Sequence, residues 1–180
     1  MDSVRTVVSA HRHIPALFVT FALATSGLAE AIKPPFALAW GEKEERLERL
    51  LTAAKATIVE RKTVEGRERW DVIGLVQPGL KRTVFYFRTG SLVEVELQYQ
   101  KDDWDQAKYD EFMGQVREKL DQRFGSGQLI ANKTEPDGET KQRVVKWKWN
   151  QNNSAVELNY FSAERDKHVF RTLSVHYRAE

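Results

Sequence analysis

Glu94 and Glu96 have the spacing that comes closest to a catalytic arrangement. They are two positions apart in a segment that alternates apolar and polar residues, so both side chains leave the same face of a strand. The rise along that strand separates them by about 6.6 Å, a distance that the paired carboxylates of glycoside hydrolases can have. The same alternation also gives two glutamates on any strand face that water covers. Catalysis and a solvated face are therefore both open.

The histidines and the cysteine count limit metal and nucleophile chemistry. His168 and His176 are the two histidines that follow the N-terminal segment. Eight residues of extended strand separate them by about 26 Å, so they cannot share a metal ion or act as one catalytic pair. Two outward-facing strand residues are the expected alternative. The sequence has no cysteine, which excludes disulfides, thiolate metal sites and cysteine nucleophiles.

Four aspartates, at positions 102, 103, 105 and 110, have the composition of a calcium-binding loop. The stretch lacks a central glycine, and Ala107 stands where a ligand would be needed. A helix that begins after a capping aspartate accounts for the same residues, and Asp103 is the predicted cap. The sequence also lacks a nucleophile elbow, a phosphate loop and a dinucleotide fingerprint. We therefore predict no catalytic residue, no cofactor and no metal ion.

Basic residues between positions 141 and 148 alternate with aromatic ones, as they do in some nucleic-acid-binding surfaces. Strand geometry places Lys146 and Lys148 on the opposite face from Trp147 and Trp149, so charges and rings do not share a surface. The formal net charge is only +2, which provides no long-range attraction to nucleic acid. No nucleic-acid partner is predicted.

Aromatic residues concentrate in the segments with strand periodicity. One helix in each half can cover one face of the sheet, which leaves the other face to water, a ligand or a partner. Rings on such a face often form the centre of an interface, although the same rings also fill helix–sheet cores. The candidate interface residues are Trp70, Tyr99, Trp147, Trp149 and Tyr160.

The N-terminal segment has the organisation of an export signal. Basic residues precede an uncharged run from Ile14 to Leu28, which at about 15 residues is shorter than a membrane-spanning helix. Residues 1–29 are predicted to be removed by cleavage after Ala29, with cleavage after Ala31 or an uncleaved N-terminal anchor as alternatives. The expected location is the periplasm or the medium, with no permanent membrane anchor after cleavage.

The rest of the chain alternates between helical and strand periodicity. Pro34-Pro35 predicts an extended lead-in over residues 30–39. Helices are predicted over residues 42–54, with Leu47, Leu50, Leu51 and Ala54 on the apolar side, and over residues 104–124, ended by Gly125. Strands are predicted over residues 57–64, 70–76, 83–89, 92–100, 128–132, 140–149, 154–161 and 168–177.

The order α-β-β-β-β-α-β-β-β-β predicts an α+β fold in which two helices pack on antiparallel meanders. Residues 30–180 are predicted to form a single domain, or two tandem α-β4 halves over residues 40–100 and 103–178. A chain of about 150 residues can bury enough surface to fold without disulfides or metals.

The stretch PFALAWGEKEERLERLL, from Pro35 to Leu51, resembles the opening of uncharacterised bacterial envelope proteins, in which an aromatic segment leads into Trp-Gly and an amphipathic helix. The repeated α-β4 order is similar to the tandem layout of β-lactamase-inhibitor-protein-like folds, whose single repeat is similar to small outer-membrane assembly lipoproteins. The resemblance implies a non-catalytic envelope protein that binds another protein through a sheet face. This sequence departs from those families because it has no lipobox and no paired cysteines.

Together these patterns predict an exported, non-enzymatic binding or interaction module of the bacterial envelope. Its partner would be an envelope protein or an apolar ligand held against the exposed sheet face. The alternative is a periplasmic carrier of a small apolar or lipid ligand, which requires a closed apolar cavity of roughly a few hundred Å³ between helix and sheet. A hydrolase that uses scattered carboxylates, Glu94 and Glu96 among them, is the third hypothesis.

Overall fold

The computed structural model describes residues 31–180, so the predicted signal, residues 1–29, and its cleavage site at Ala29 lie outside the described residues. Over residues 31–180, two helices and eight strands follow one another in the predicted order, which confirms the α+β class. The elements are α1 (Glu44–Ala53), β1 (Thr57–Val64), β2 (Arg67–Ile73), β3 (Leu80–Arg88), β4 (Ser91–Tyr99), α2 (Gln106–Phe124), β5 (Gln128–Asp137), β6 (Thr140–Gln151), β7 (Ser154–Arg165) and β8 (His168–Ala179).

All eight strands form one antiparallel sheet in the order β1-β2-β3-β4-β8-β7-β6-β5. Each half of the chain begins with a helix, continues to an edge strand and returns strand by strand to the centre of the sheet. The two central strands, β4 and β8, pair over residues 94–99 and 173–178. We call this pair the seam, because it joins the four strands of the first half to the four strands of the second half.

Two-residue turns set the hairpins on either side of the seam. Thr89 and Gly90, between β3 and β4, have φ angles of 50° and 68°, and Asn152 and Asn153, between β6 and β7, have φ angles of 43° and 58°. Such left-handed pairs match the twist of a tight hairpin, and glycine and asparagine adopt them at low cost. The turns fix the register that determines which residues share a sheet face.

Helix α1 begins at Glu44, two residues later than predicted, because the preceding residues pair with strand β4. The Gly41 amide donates to the Leu92 carbonyl at 2.9 Å, and the Leu92 amide donates to the Glu42 carbonyl at 2.9 Å. The predicted apolar side of the helix is also narrower than expected. Leu47 and Leu51 are buried, whereas Leu50 is 42% exposed.

The sequence predicts Asp103 as the cap of helix α2, and this prediction is wrong by two residues. The residue that caps the helix is Asp105. The Asp105 Oδ1 atom accepts a hydrogen bond from the Lys108 amide at 2.9 Å, and the helix starts at the next residue, Gln106. Its end at Phe124 is as predicted, since Gly125 follows with a φ angle of 79°. The aspartates around residue 103 are therefore explained by a helix start.

The Asp105→Ala variant is expected to lose about 1 kcal/mol of folding free energy, because the Lys108 amide loses its capping acceptor. Urea unfolding of the wild-type and variant proteins measures this loss. Asp103→Ala is the matched control, since it removes an aspartate that does not cap the helix, and it should change stability by less than about 0.5 kcal/mol.

The lead-in segment packs into the core. Pro34-Pro35 predicts that it is extended, but it is not extended throughout. It turns at Phe36 and Ala37, whose φ angles are 63° and 55°. Ile32 is fully buried, its amide donates to Ser154 Oγ at 3.1 Å, and its carbonyl accepts from Trp40 Nε1 at 2.8 Å. Among the described residues, neither helix is long and apolar enough to cross a membrane.

One hydrophobic core lies between the two helices and one face of the sheet, which we call the helix-covered face. The other side of the sheet, called the open face, is covered by neither α1 nor α2. A register shift between Tyr86 and Phe87 changes which side chains reach the core at the start of β4. Leu92 is buried there, and Val93 is the extra residue of the bulge.

Candidate binding site

The five aromatic residues predicted as an interface lie on the helix-covered face. Four of them are between 1 and 6% exposed and belong to the hydrophobic core. The fifth, Trp147, is partly buried against the core, and the Arg117 guanidinium lies 4.4 Å from the centre of its ring. The four core residues are Trp70, Tyr99, Trp149 and Tyr160. These positions favour the core interpretation over the presentation of rings on the open face.

Two of these rings attach helix α2 to the sheet. The Trp149 Nε1 atom donates to Asp121 Oδ1 at 3.0 Å and to the Gly125 carbonyl at 2.9 Å. The Tyr160 hydroxyl donates to Gln106 Oε1 at 2.7 Å, at the other end of the helix. Because both ends of α2 are held in this way, the helix has a fixed position over the sheet.

A groove of about 500 Å³ lies beside α2 on the helix-covered face. Its floor comes from the two strands of the seam, with Leu97 and Tyr99 from β4 and Val175 and Tyr177 from β8. Helix α2 forms one wall, and the lead-in together with the β2–β3 loop forms the other. The wall residues are Phe112, Gln115, Val116, Lys119, Leu120 and Arg123 on the helix side, and Pro35, Gln77 and Pro78 opposite.

The groove combines an apolar floor with a basic rim. The Tyr99 hydroxyl donates to Gln77 Oε1 at 3.0 Å, and burial raises the pKa of both Tyr99 and Tyr177, so both hydroxyls are neutral at physiological pH. Lys119 and Arg123 form no ion pair with any residue between 31 and 180. The groove can therefore accept apolar groups along its floor and negative charge at its edge.

The open face carries a cluster of charged residues whose proximity was not predicted from the sequence. His176 on β8 lies between Glu94 and Glu96 on β4, with Nδ1 3.1 Å from Glu94 Oε1 and Nε2 3.5 Å from Glu96 Oε1. The Glu94 carboxylate also contacts Arg67 Nη1 at 2.8 Å and Arg178 Nε at 3.1 Å. Glu94 is thus a buried carboxylate surrounded by basic groups.

This environment keeps Glu94 ionised. Burial raises the pKa of its carboxyl group, but the hydrogen bond from His176 and the charge of Arg178 outweigh burial and lower the pKa to about 2. A carboxyl group that is ionised at physiological pH and already paired is poorly suited to donate a proton as a general acid. Within residues 31–180, no group of three or more acidic or histidine side chains is arranged to hold a metal ion.

The remaining predicted residues are separate from this cluster. His168 is exposed at the far end of β8, as the spacing of the histidines indicated. Lys146 pairs with Glu157 at 2.9 Å and Lys148 with Glu180 at 3.3 Å, both opposite the two indoles, as the alternation predicted. Asp110 pairs with Arg143 at 3.2 Å. The two lysines and Asp110 thus form separate ion pairs, and these residues share no common site with His168.

The groove and the Glu94 cluster depend on the pairing of β4 with β8, for which the sequence has no local signal. The chain matches no protein-family model, and no curated protein or solved structure shows significant similarity to it. Function must therefore be inferred from the groove and from the charges of the described residues.

Proposed function

We propose that this protein is an exported, non-enzymatic binding module of the bacterial envelope that docks a segment of a partner protein in the groove. The docked segment has apolar side chains flanked by acidic residues. One observation carries this proposal: the floor of the groove is apolar, and its rim bears two basic residues, Lys119 and Arg123, that form no ion pair among the described residues.

The shape of the groove supports a chain segment as its occupant. A volume of about 500 Å³ is within the range of natural ligand sites, and the lining is mostly apolar with a few polar groups. The groove is open to solvent, which suits a chain segment better than it suits the enclosed ligand of a carrier. An apolar segment that lies in an open groove buries its side chains on the floor and leaves its acidic flanks beside the basic rim.

The lining supports binding without catalysis. Among its described residues the groove has no carboxylate, histidine, serine or threonine. Its two hydroxyl groups belong to Tyr99 and Tyr177, and burial raises the pKa of both, so less tyrosinate is available at physiological pH as a base or nucleophile than in free tyrosine.

For an exported protein, the packing of the lead-in favours cleavage after Ala29 over cleavage after Ala31. Cleavage after Ala31 would make Ile32 the first residue and place a charged ammonium group where a buried amide now donates to Ser154 Oγ. Cleavage after Ala29 leaves two residues before Ile32 and keeps this amide. The intact mass of the protein from the envelope fraction should therefore correspond to a chain that starts at Glu30.

Binding in the groove is tested with two labelled peptides that share a Leu-Leu-Phe centre and differ in their flanks, glutamate in one and lysine in the other. Fluorescence anisotropy should show that the glutamate-flanked peptide binds about tenfold more tightly, because the rim is basic. Val116→Asp should abolish binding by placing a charge on the apolar wall. Lys119→Glu should weaken binding of the glutamate-flanked peptide about fivefold.

Arg49→Glu is the matched control for Lys119→Glu. Arg49 is exposed on α1, is outside the groove, and its reversal changes the net charge by the same amount. It should leave the affinity within about twofold of wild type. Equal affinity for the two peptides, or binding that Val116→Asp does not change, would show that the groove is not the docking site.

The second candidate is a carrier of an apolar ligand, because an acyl chain with an acidic head group has the same complementarity to the groove. The probe is dodecanoic acid, added to the peptide-bound protein. Displacement at a one-to-one ratio, with an affinity above that of the peptide, would favour the carrier. No displacement at the solubility limit would favour the protein segment.

A further inference from the structure

We propose that the open face carries a second binding site, for phosphate groups, formed by Arg67, Arg88 and Arg178. It is on the opposite side of the sheet from the groove and does not depend on the proposed function of the groove. It lies where strand β8 ends beside the β3–β4 hairpin.

These three arginines line one pocket of about 270 Å³, together with Val93, Glu94 and Ala179. Three guanidinium groups and one carboxylate thus face the same space, so the pocket has excess positive charge. Guanidinium groups bind phosphate oxygens in pairs through their planar donors, and several arginines around one pocket are a common arrangement for phosphate recognition.

Glu94 positions two of the arginines. Its Oε2 atom is 2.8 Å from Arg67 Nη1, and its Oε1 atom is 3.1 Å from Arg178 Nε. Arg67 also lies 4.8 Å from the centre of the Tyr86 ring, and Arg178 Nη1 is 3.5 Å from Glu157 Oε1. Because these contacts hold the side chains in place without a ligand, little conformational entropy is lost when an anion binds.

Arg88 is the arginine whose charge is not matched. Its side chain forms no hydrogen bond or ion pair with any residue that the structure describes. Arg88 is the last residue of strand β3 and lies at the rim of the pocket, directly before the left-handed turn residues Thr89 and Gly90. Arg67, by contrast, has a further contact with the exposed Glu65 at 3.6 Å, which solvent screens. An anion in the pocket would therefore be bound by two positioned guanidinium groups and by Arg88.

The charge of the site favours phosphate over a single carboxylate. A phosphate group has more acceptor oxygens than a carboxylate and carries up to two negative charges, which suits a pocket lined by three guanidinium groups. The phosphate can belong to a soluble compound or to a lipid head group, and both sources present the same oxygens.

The test is a titration of the full mature protein with inorganic phosphate at constant ionic strength, followed by amide nitrogen–proton NMR spectra. Amide signals of residues 67, 88, 93 and 178 should shift together and saturate. Arg88→Ala should weaken the affinity about tenfold, because one charged donor group is lost. Arg49→Ala, on the other side of the protein, is the matched control and should leave the affinity unchanged.

Two further experiments complete the test. One uses a conservative variant that should remain folded, and the other identifies the source of the phosphate. Arg178→Lys keeps the charge but removes the planar donors, and it should weaken binding while the spectrum stays folded. If the protein co-sediments with phosphatidylglycerol vesicles and the Arg88→Glu variant does not, the phosphate belongs to a lipid head group. If the protein binds inorganic phosphate but does not co-sediment with the vesicles, the phosphate belongs to a soluble compound. Signals that do not saturate, or equal affinity in Arg88→Ala, would overturn the proposal.

Discussion

Replacing Trp149 by alanine is expected to lower the free energy of unfolding by about 3–5 kcal/mol. The indole is 3% exposed, and its removal leaves a cavity between strand β6 and helix α2. The variant also loses the hydrogen bonds from Nε1 to Asp121 and to the Gly125 carbonyl, which hold the end of the helix. The loss is a large fraction of the stability of a typical domain.

Urea unfolding of three variants separates the contributions of the ring. Trp149→Phe keeps most of the buried surface but loses the two hydrogen bonds, so it should be less destabilising than Trp149→Ala. Trp147→Ala removes a ring that is only partly buried beneath Arg117, and it should cost about 1–2 kcal/mol. If Trp149→Ala were within about 1 kcal/mol of wild type, the ring would not be part of the core.

Acidification from pH 5 to pH 2 is expected to remove about 3 kcal/mol of stability through Glu94 alone. Its pKa in the folded protein is about 2, below the ordinary value of 4.5. Because the folded state binds this proton less readily than the unfolded state, ionised Glu94 stabilises the fold at all pH values above 4.5. That contribution is lost as the pH falls through the unfolded and then the folded pKa.

The Glu94→Gln variant should remove this acid dependence and lower stability at pH 7, because Arg67 and Arg178 lose their shared carboxylate. The measurement is urea unfolding of both proteins at pH 7, 5, 3 and 2. Glu65→Gln is the matched control, since Glu65 also contacts Arg67 but is 81% exposed, and it should behave as wild type. Parallel stability–pH curves for Glu94→Gln and wild type would contradict the prediction.

The order of the elements was predictable because it depends on local patterns. Alternation of apolar and polar residues set the strands, and turn residues such as Gly66 and Gly90 separated them. The ends of the elements were less accurate, since Asp103 and Asp105 are equally good caps in sequence. Tertiary contacts delayed the start of α1 by pairing residues 41–43 with β4.

The faces of the strands were predictable, but what covers each face was not. Alternation placed Trp147 and Trp149 together, while only the position of α2 shows that this face is the core. The sequence predicts only the distance of His176 from His168 along one strand. The contacts of His176 are with Glu94 and Glu96 on another strand. Strand order is a non-local property, and periodicity within one segment carries no information on it.

The seam between β4 and β8 has a consequence for the way the chain folds. Every other strand pair joins neighbours in the sequence, so the hairpins of each half form with short loops. The seam joins residues 94–99 to residues 173–178, and closing this long loop has a larger entropic cost. We therefore expect the two halves to become ordered first and the seam to form last. Since the floor of the groove comes from both seam strands, a molecule bound in the groove would slow the reopening of the seam and protect its amides from hydrogen exchange.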